Sequence, residues 1–319
     1  MKQIFTLTAL VFSLQMIAQD SVNKKPVRIF TSDKTINAYT TEMIPRGKMD
    51  FKVTHNFGDI AGKEGGHQRF FGLDGSTDIR IGFHIGITDR LNIGIARTKG
   101  DEQSLRKDTS NSLAPTEFLA RKIFEINIKY QLLRQMENDP SHPVSVTIFV
   151  NNAISSLAAN KLNPNTPTSF KNFSDRMSQV IELIIAKKVG KVSLQLNPTL
   201  VHYDFVPDYD KATTFALGGA ARIPLSGRFA LILDYFHPFH SSDKKKNYYA
   251  QKAVKFHDPL GVGVEINTAG HVFHLNFTNT TAILENQFIP YNSNSWGKGQ
   301  FRWGFSISRT FRLWGGKRK

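Results

Sequence analysis

Residues 78–98 read DIRIGFHIGITDRLNIGIART, and this stretch decides the fold. Ile79, Ile81, Phe83, Ile85 and Ile87 fall on every second position, with Asp78, Arg80, Gly82, His84 and Gly86 between them. Successive strand side chains point to opposite faces, so a period of two writes one apolar and one polar face along an extended chain. Thr88, Asp89 and Arg90 make a short turn, after which Leu91, Ile93 and Ile95 resume the alternation. Two alternating runs joined this tightly form an antiparallel hairpin.

Working outward, twelve such segments fill residues 48–314. The first carries Met49, Phe51, Val53, His55 and Phe57; the last carries Phe301, Trp303, Phe305 and Ile307. Their connections alternate as well. Short turns lie at 88–90, 188–190, 224–227 and 268–270, with a longer one at 135–143. Long loops lie at 58–76, 99–118, 155–174, 203–212, 237–256 and 281–299. A soluble β-sandwich also alternates along its strands, but it does not alternate its connection lengths this strictly. Outer-membrane barrels do, with short periplasmic turns and long external loops. The predicted fold is therefore all-β, a transmembrane antiparallel up-and-down β-barrel of about twelve strands. Fourteen is the alternative, if residues 27–31 and 36–47 each add one.

The organisation around the barrel follows. Residues 1–18 read as a signal peptide, with Lys2 as the basic start and Ile4 to Leu14 as a short apolar run. That run is too short for a membrane-spanning helix, which needs about 20 apolar residues. No later stretch is apolar enough either, so the membrane must be crossed by strands. Residues 19–47 are expected in the periplasm, in the lumen as a plug, or as extra strands, and residues 48–319 form the barrel. Tyr130 and Trp314 at the turn-side ends, and Tyr203, Phe205, Phe236 and Trp296 at the loop-side ends, are expected at the bilayer interfaces.

Composition narrows the chemistry. The absence of cysteine excludes disulfides, thiolate metal sites and a lipidated N-terminal cysteine. Basic residues outnumber acidic ones, 41 to 26. Much of the excess sits in loops and ends, at Lys187, Lys188 and Lys191, at Lys244 to Lys246, and at Lys317 to Lys319. Beside an export signal, that balance points to outer-membrane lipids and lipopolysaccharide as partners, and to anionic solutes, rather than to nucleic acid.

Several stretches resemble a Bacteroidetes family of membrane-bound β-barrels of unknown function, the domain of unknown function 5777. They are FKVTHNFGDI at 51–60, the hairpin at 78–98, KYQLLRQ at 129–135, PLGVGVEINTAGHVFHLNFTNT at 259–280 and FRWGFSISRTFRL at 301–313. The resemblance implies an outer-membrane location and brings no activity. One departure is that Gly315 to Lys319 follow Trp314, where final strands of this class end on an aromatic residue.

If the apolar faces meet lipid, the opposite faces meet the lumen. Those positions hold Asp78, Arg80, His84, Glu125, Lys129, Glu182, Arg222, Asp234, Glu265, His274 and Arg302. Five acids against four fixed bases give either a salt-bridged filling or a water-filled channel of weak ion preference. Gly82, Gly86, Gly94, Gly218, Gly261, Gly263 and Gly304 also face inward, and easing strand curvature is the preferred account of them over making room for a plug. No catalytic, cofactor or metal site is expected. His271 and His274 stand three apart on a strand and so face opposite ways. His237 and His240 flank Pro238 and would need carboxylate support to bind a metal. Ser306, Ser308 and His274 share the inward face, which is too little to define a hydrolase. Phe70 and Phe71 are candidate anchors for the glycine-rich loop. The expected function is a passive pore or transport component for small polar or anionic solutes. The alternatives are a non-conducting structural or binding subunit of an outer-membrane complex and, third, a lipid-modifying enzyme.

Overall fold

The computed structural model describes residues 25–63, 65–100, 122–159 and 168–315. The expected signal peptide and the basic C-terminal residues lie outside them. The strands are β1 (Lys48–Asp59), β2 (Ser76–Gly86), β3 (Leu91–Gly100), β4 (Lys122–Leu133), β5 (Ser145–Ser155) and β6 (Met177–Val189), then β7 (Val192–Tyr203), β8 (Thr213–Pro224), β9 (Phe229–Pro238), β10 (Leu260–Asn267), β11 (Val272–Thr278) and β12 (Arg302–Arg312). All neighbours are antiparallel and consecutive, and β1 pairs with β12 to close a twelve-strand barrel. Closure leaves no sheet edge with unpaired backbone groups.

Closure is fastened at Gly47. Its φ of 73° lies in the left-handed region, and a Cβ there would stand 2.5 Å from the Trp314 carbonyl oxygen. The amides of Leu313 and Trp314 both donate to the Gly47 carbonyl, at 2.9 and 3.2 Å. Only glycine combines that backbone with so close an approach.

The alternation sorts side chains as its parity dictates. Phe83, Ile95 and Ile126 are directly paired neighbours across β2, β3 and β4, all on the outer face. Ile126 is 43% exposed, whereas the next residue, Asn127, is 4% exposed. The exposed residues are apolar because lipid replaces water there. Parity corrects two expectations at the interface. Tyr203 and Phe236 are buried inside the barrel, while Tyr235 faces out. A one-residue step along a strand exchanges the two faces.

Residues 27–31 and 36–47 add no strand, so the fourteen-strand alternative does not hold. The loop-side connections carry two α-helices among the described residues, α1 (Ser242–Lys252) and α2 (Glu285–Tyr291), beside short 3-10 turns. No described helix is long and apolar enough to cross a membrane. Phe70 and Phe71 are 61% and 52% exposed, so they do not anchor their loop.

Ile126→Arg is expected to destabilise the membrane-inserted barrel by about 2–4 kcal/mol, because a cation would sit in the lipid-facing band. Asn127→Ala is expected to cost clearly less. Urea titration of both variants in vesicles, followed by heat-modifiable gel mobility, checks the difference; equal losses would place the faces wrongly.

Candidate functional site

The lumen is occupied by the chain itself. Residues 29–41, which precede the first strand, lie buried inside the barrel without regular structure. A wide barrel leaves space beyond the reach of its own side chains, and a segment filling it must bring partners for its backbone polar groups. Here the strand side chains supply them.

Asp234 on β9 does most of this. Its Oδ2 accepts the Thr35 hydroxyl at 2.8 Å and the amides of Ile36, Asn37 and Ala38 at 3.0, 2.7 and 3.2 Å. Its Oδ1 accepts the Asn37 side-chain amide at 2.8 Å. Successive amides curled round one carboxylate form a backbone nest. Across the bore, Gln195 and Asn197 on β7 donate to the Tyr39 carbonyl at 2.7 and 3.2 Å. Asn92 on β3 makes a two-way clasp with Ile44, accepting at 2.8 Å and donating at 2.9 Å. Tyr39 stacks on Phe149 of β5 at 4.0 Å and packs on Ile184 of β6.

Charges are paired inside this network. Asp33 of the plug accepts from Lys52 on β1 and His84 on β2, and all three are buried. Burial pushes the Asp33 carboxyl up, but Lys52 and then His84 outweigh it and hold it well below the usual carboxylate range. Arg80 Nε donates to both Glu125 oxygens at 3.0–3.1 Å, and its Nη2 donates to the Tyr39 hydroxyl at 3.1 Å. Glu182 accepts from Asn197 at 2.7 Å and Thr199 at 2.9 Å.

The β11–β12 loop closes the other half. Lys34 of the plug meets Glu285 at the start of α2, with 2.8 Å between Nζ and Oε1. Asn286 donates to the Ser178 carbonyl and hydroxyl at 3.0 and 2.8 Å, and Phe288 packs edge-on against Phe236. Burial pushes the Glu285 carboxyl up against the pull of Lys34. Above α2, Asp210 receives Lys244 of α1 at 2.8 Å and the hydroxyls of Tyr248 and Tyr291 at 2.6 and 2.8 Å. Two gap-filling segments, one before β1 and one after β11, thus meet at an ion pair within the bore.

Of the predicted lumen residues, Asp78, Arg80, His84, Glu125, Lys129, Glu182, Asp234, Glu265, His274 and Arg302 are buried. Arg222 is partly exposed and bonds Glu265 at 2.9 Å. They do not line an open passage; five of them touch the plug directly, namely Arg80, His84, Lys129, Asp234 and His274. The inward glycines also require a different account. A Cβ on Gly261 would stand 3.0 Å from both Asn37 and Ile36, and one on Gly86 would collide with the carbonyls of Ile44 and Pro45. Gly86 makes room for the plug backbone, which runs against the wall there, and Gly261 makes room for the side chains of Ile36, Asn37 and Asp234.

The histidine candidates separate. His237 faces Asp258 at 2.9 Å, while His240 lies against Phe256 at 4.5 Å and is pushed down to about 3 by burial and by Lys244 and Lys245. Both ring nitrogens of His274 face oxygen acceptors, the Thr35 carbonyl at 3.0 Å and Glu265 at 3.3 Å. Neither is left to take a proton from Ser306. Among the described residues no cluster of three or more metal-ligating groups occurs.

Sequence reasoning missed the plug residues Asp33, Lys34 and Thr35 to Tyr39, and Lys52 and Glu285. Parity alone places Lys52 inward, two residues from Asp50. Nothing local marks Asp33 or Glu285, whose partners lie far away in sequence.

A closed barrel with an apolar outer band is a membrane protein of the β-barrel class. A family model for a membrane-bound β-barrel domain matches residues 30–311, and the chain belongs to that family. The match includes most of the plug. No curated protein sequence matches the chain. Among solved structures, an outer membrane channel from Pseudomonas putida F1 is similar at 10% identity and a TM-score of 0.48, over 85% of this chain and 98% of that one. The NanC porin is similar at 7% identity and 0.47, over 83% and 100%. Outer membrane phospholipase A from Escherichia coli is similar at 10% and 0.41, over 83% and 93%.

Asp234→Ala is expected to raise hydrogen exchange across residues 33–41 by about tenfold or more, because several buried donors lose their acceptor. Exchange in β2 to β7 should stay unchanged. Wild-type exchange in the plug would show that Asp234 does not hold it.

Asp33 also predicts a pH dependence. Its carboxyl is held below its free value, so its contribution is fully present above about 3.9 and is lost as pH falls below that. Plug protection, corrected for intrinsic exchange rates, should be flat from neutral pH to about 5 and decline only below about 4. A decline between neutral pH and 5 would assign the switch to another group.

Proposed function

We propose that this chain is an outer-membrane transport barrel for small polar or anionic solutes, shut at rest by its own N-terminal segment and the β11–β12 loop. The observation that carries this reading is the chemistry of the plug–wall interface. Asp234, Asn92, Gln195, Asn197 and Lys129 all hold the plug by hydrogen bonds to its backbone or to short side chains. Water can replace each such bond, so a polar interface separates at lower cost than an apolar core of equal area. The plug is also a single irregular segment that adds no strand to the barrel, so its withdrawal leaves the twelve-strand pairing intact and breaks only isolated contacts such as those of residues 25–27 with the β4–β5 turn.

In this reading the short turns and the plug face the periplasm and the long loops face outward. The outer apolar band contacts membrane lipid, and lipopolysaccharide packs round the loop-side end. The reading places the protein among non-enzymes, since the buried histidine and carboxylates are engaged in holding the plug. The second reading, a non-conducting subunit of an outer-membrane complex, draws on the loop-side cap, where Asp210 ties three loop segments together.

Planar-bilayer recording of the purified full chain tests the choice. Wild type is expected to be closed with rare openings. Asp234→Ala, alone and combined with Asn286→Ala, is expected to raise the open fraction by about tenfold. Silence from both variants, with plug release verified by hydrogen exchange, would favour the non-conducting subunit.

A further inference from the structure

A cavity of about 760 Å³ opens at the turn-side end, between the plug, the β10–β11 turn and the ends of β1, β4 and β12. Its size suits a small-molecule ligand. Lys48 and Arg312, which line it, are direct cross-strand partners on β1 and β12. They share the inward face with the next pair along, Asp50 and Thr310. Like charges placed directly opposite each other are destabilising. Among the described residues neither cation has a carboxylate within salt-bridge distance. Arg28 of the plug, which donates to the Phe30 and Thr31 carbonyls at 3.2 and 2.6 Å, and Arg134, just after β4, also line the cavity, and no carboxylate pairs with either.

The acids of the lining are already engaged. Asp33 is held by Lys52 and His84. Glu42 accepts the amides of Ile29 and Phe30 at 2.8 and 3.0 Å. Asp50 accepts the Thr310 hydroxyl at 3.2 Å. Four cations thus outnumber the two lining carboxylates, Glu42 and Asp50, that have no salt-bridge partner among the described residues. Outside it, Arg90, Lys191 and Arg228 on the short turns and Lys187 and Lys188 at the end of β6 outnumber Asp89, Glu137 and Asp139, a net basic rim that raises the local concentration of anions.

We propose that this vestibule binds a soluble oxyanion with two or more carboxylate or phosphate groups, bridging Lys48 and Arg312 and reaching Arg28 or Arg134. A ligand of this charge removes the cross-strand repulsion. The cations point toward the barrel axis, behind the strand wall, so lipid headgroups outside the barrel do not reach them. The site also touches the plug, through Arg28 and Asp33, so its ligand contacts the segment that must move. The assignment names the solute class for the transport reading and rests on that reading for its role, while the binding itself is a property of the vestibule.

Calorimetry on the detergent-purified full chain at low ionic strength tests it, with citrate and pyrophosphate as probes and sucrose as the uncharged control. Saturable binding of a probe is expected, weakened by added salt and absent for sucrose. Lys48→Gln combined with Arg312→Gln should lower the affinity by about tenfold or more, the loss of two charge-assisted contacts. Arg46→Gln, on the same mouth but outside the cavity lining, should leave it unchanged. The thermal midpoint gives a second readout. In anion-free buffer the double variant should be at least as stable as wild type, because it lacks the repulsion, and only wild type should gain stability on adding the probe. No saturable binding by wild type, or equal binding and equal stabilisation in the double variant, would overturn the site. Binding in a protein whose plug-released variants stay silent would keep the site and remove the transport reading.

Discussion

Asp234 sits inside a curl of four successive plug residues and accepts their hydroxyl and amide protons on one carboxylate. The rest of the interior depends on that grip. Plug residues 36–38 have no helix or strand partners, so their amides would be orphaned in a dry interior without an acceptor from the wall. Placing that acceptor on β9 fixes the depth at which the plug turns, which sets Tyr39 on Phe149, Asp33 between Lys52 and His84, and Lys34 against Glu285. Removing the carboxylate would leave several buried donors unmet at once, each costing about 1–3 kcal/mol.

The interior is polar yet closed. Buried polar groups are tolerated because they are ion-paired or hydrogen-bonded: Arg80 spans both oxygens of Glu125 and still reaches Tyr39, while Asp234 and Glu182 are met by neutral donors. The same pairing makes the interface reversible in principle, since water satisfies the same groups once the plug withdraws. An apolar plug on an apolar wall would have no such route. The small apolar contacts that do occur, Tyr39 with Phe149 and Ile184, act as a seat within a mainly hydrogen-bonded joint.

The two ends of the bore differ. The loop side is capped by α1, α2 and the Asp210 cluster, with Lys244 packed against Tyr248 and Tyr291 and its ammonium pushed down by burial despite Asp210. The turn side keeps an open vestibule edged by cations, beside the start of the plug, where the Val27 amide donates to the Gln135 carbonyl. A solute approaching from the turn side meets charge before it meets the closure.

Strand number, parity and topology were legible in the chain because they rest on local rules: period two sets faces, and alternating turn and loop lengths set connectivity. Ile126 outward and Asn127 inward follow from counting alone. The lumen residues were legible as facing inward, but not as engaged with a plug. Whether an inward Asp234 meets water or a buried amide depends on a segment about two hundred residues earlier in the chain, and no local pattern records that pairing. The same holds for Gly86 and Gly261, whose missing side chains read as curvature until plug backbone is seen against the first and plug side chains against the second. Tyr203 and Phe236 show the limit from another direction, since an aromatic at a strand end suits either lipid interface or an inner cap. The sequence by itself determined a membrane barrel and its two faces, because lipid and backbone pairing act residue by residue. Only the tertiary structure decided that the lumen is closed, because closure depends on contacts between segments that share no local signal.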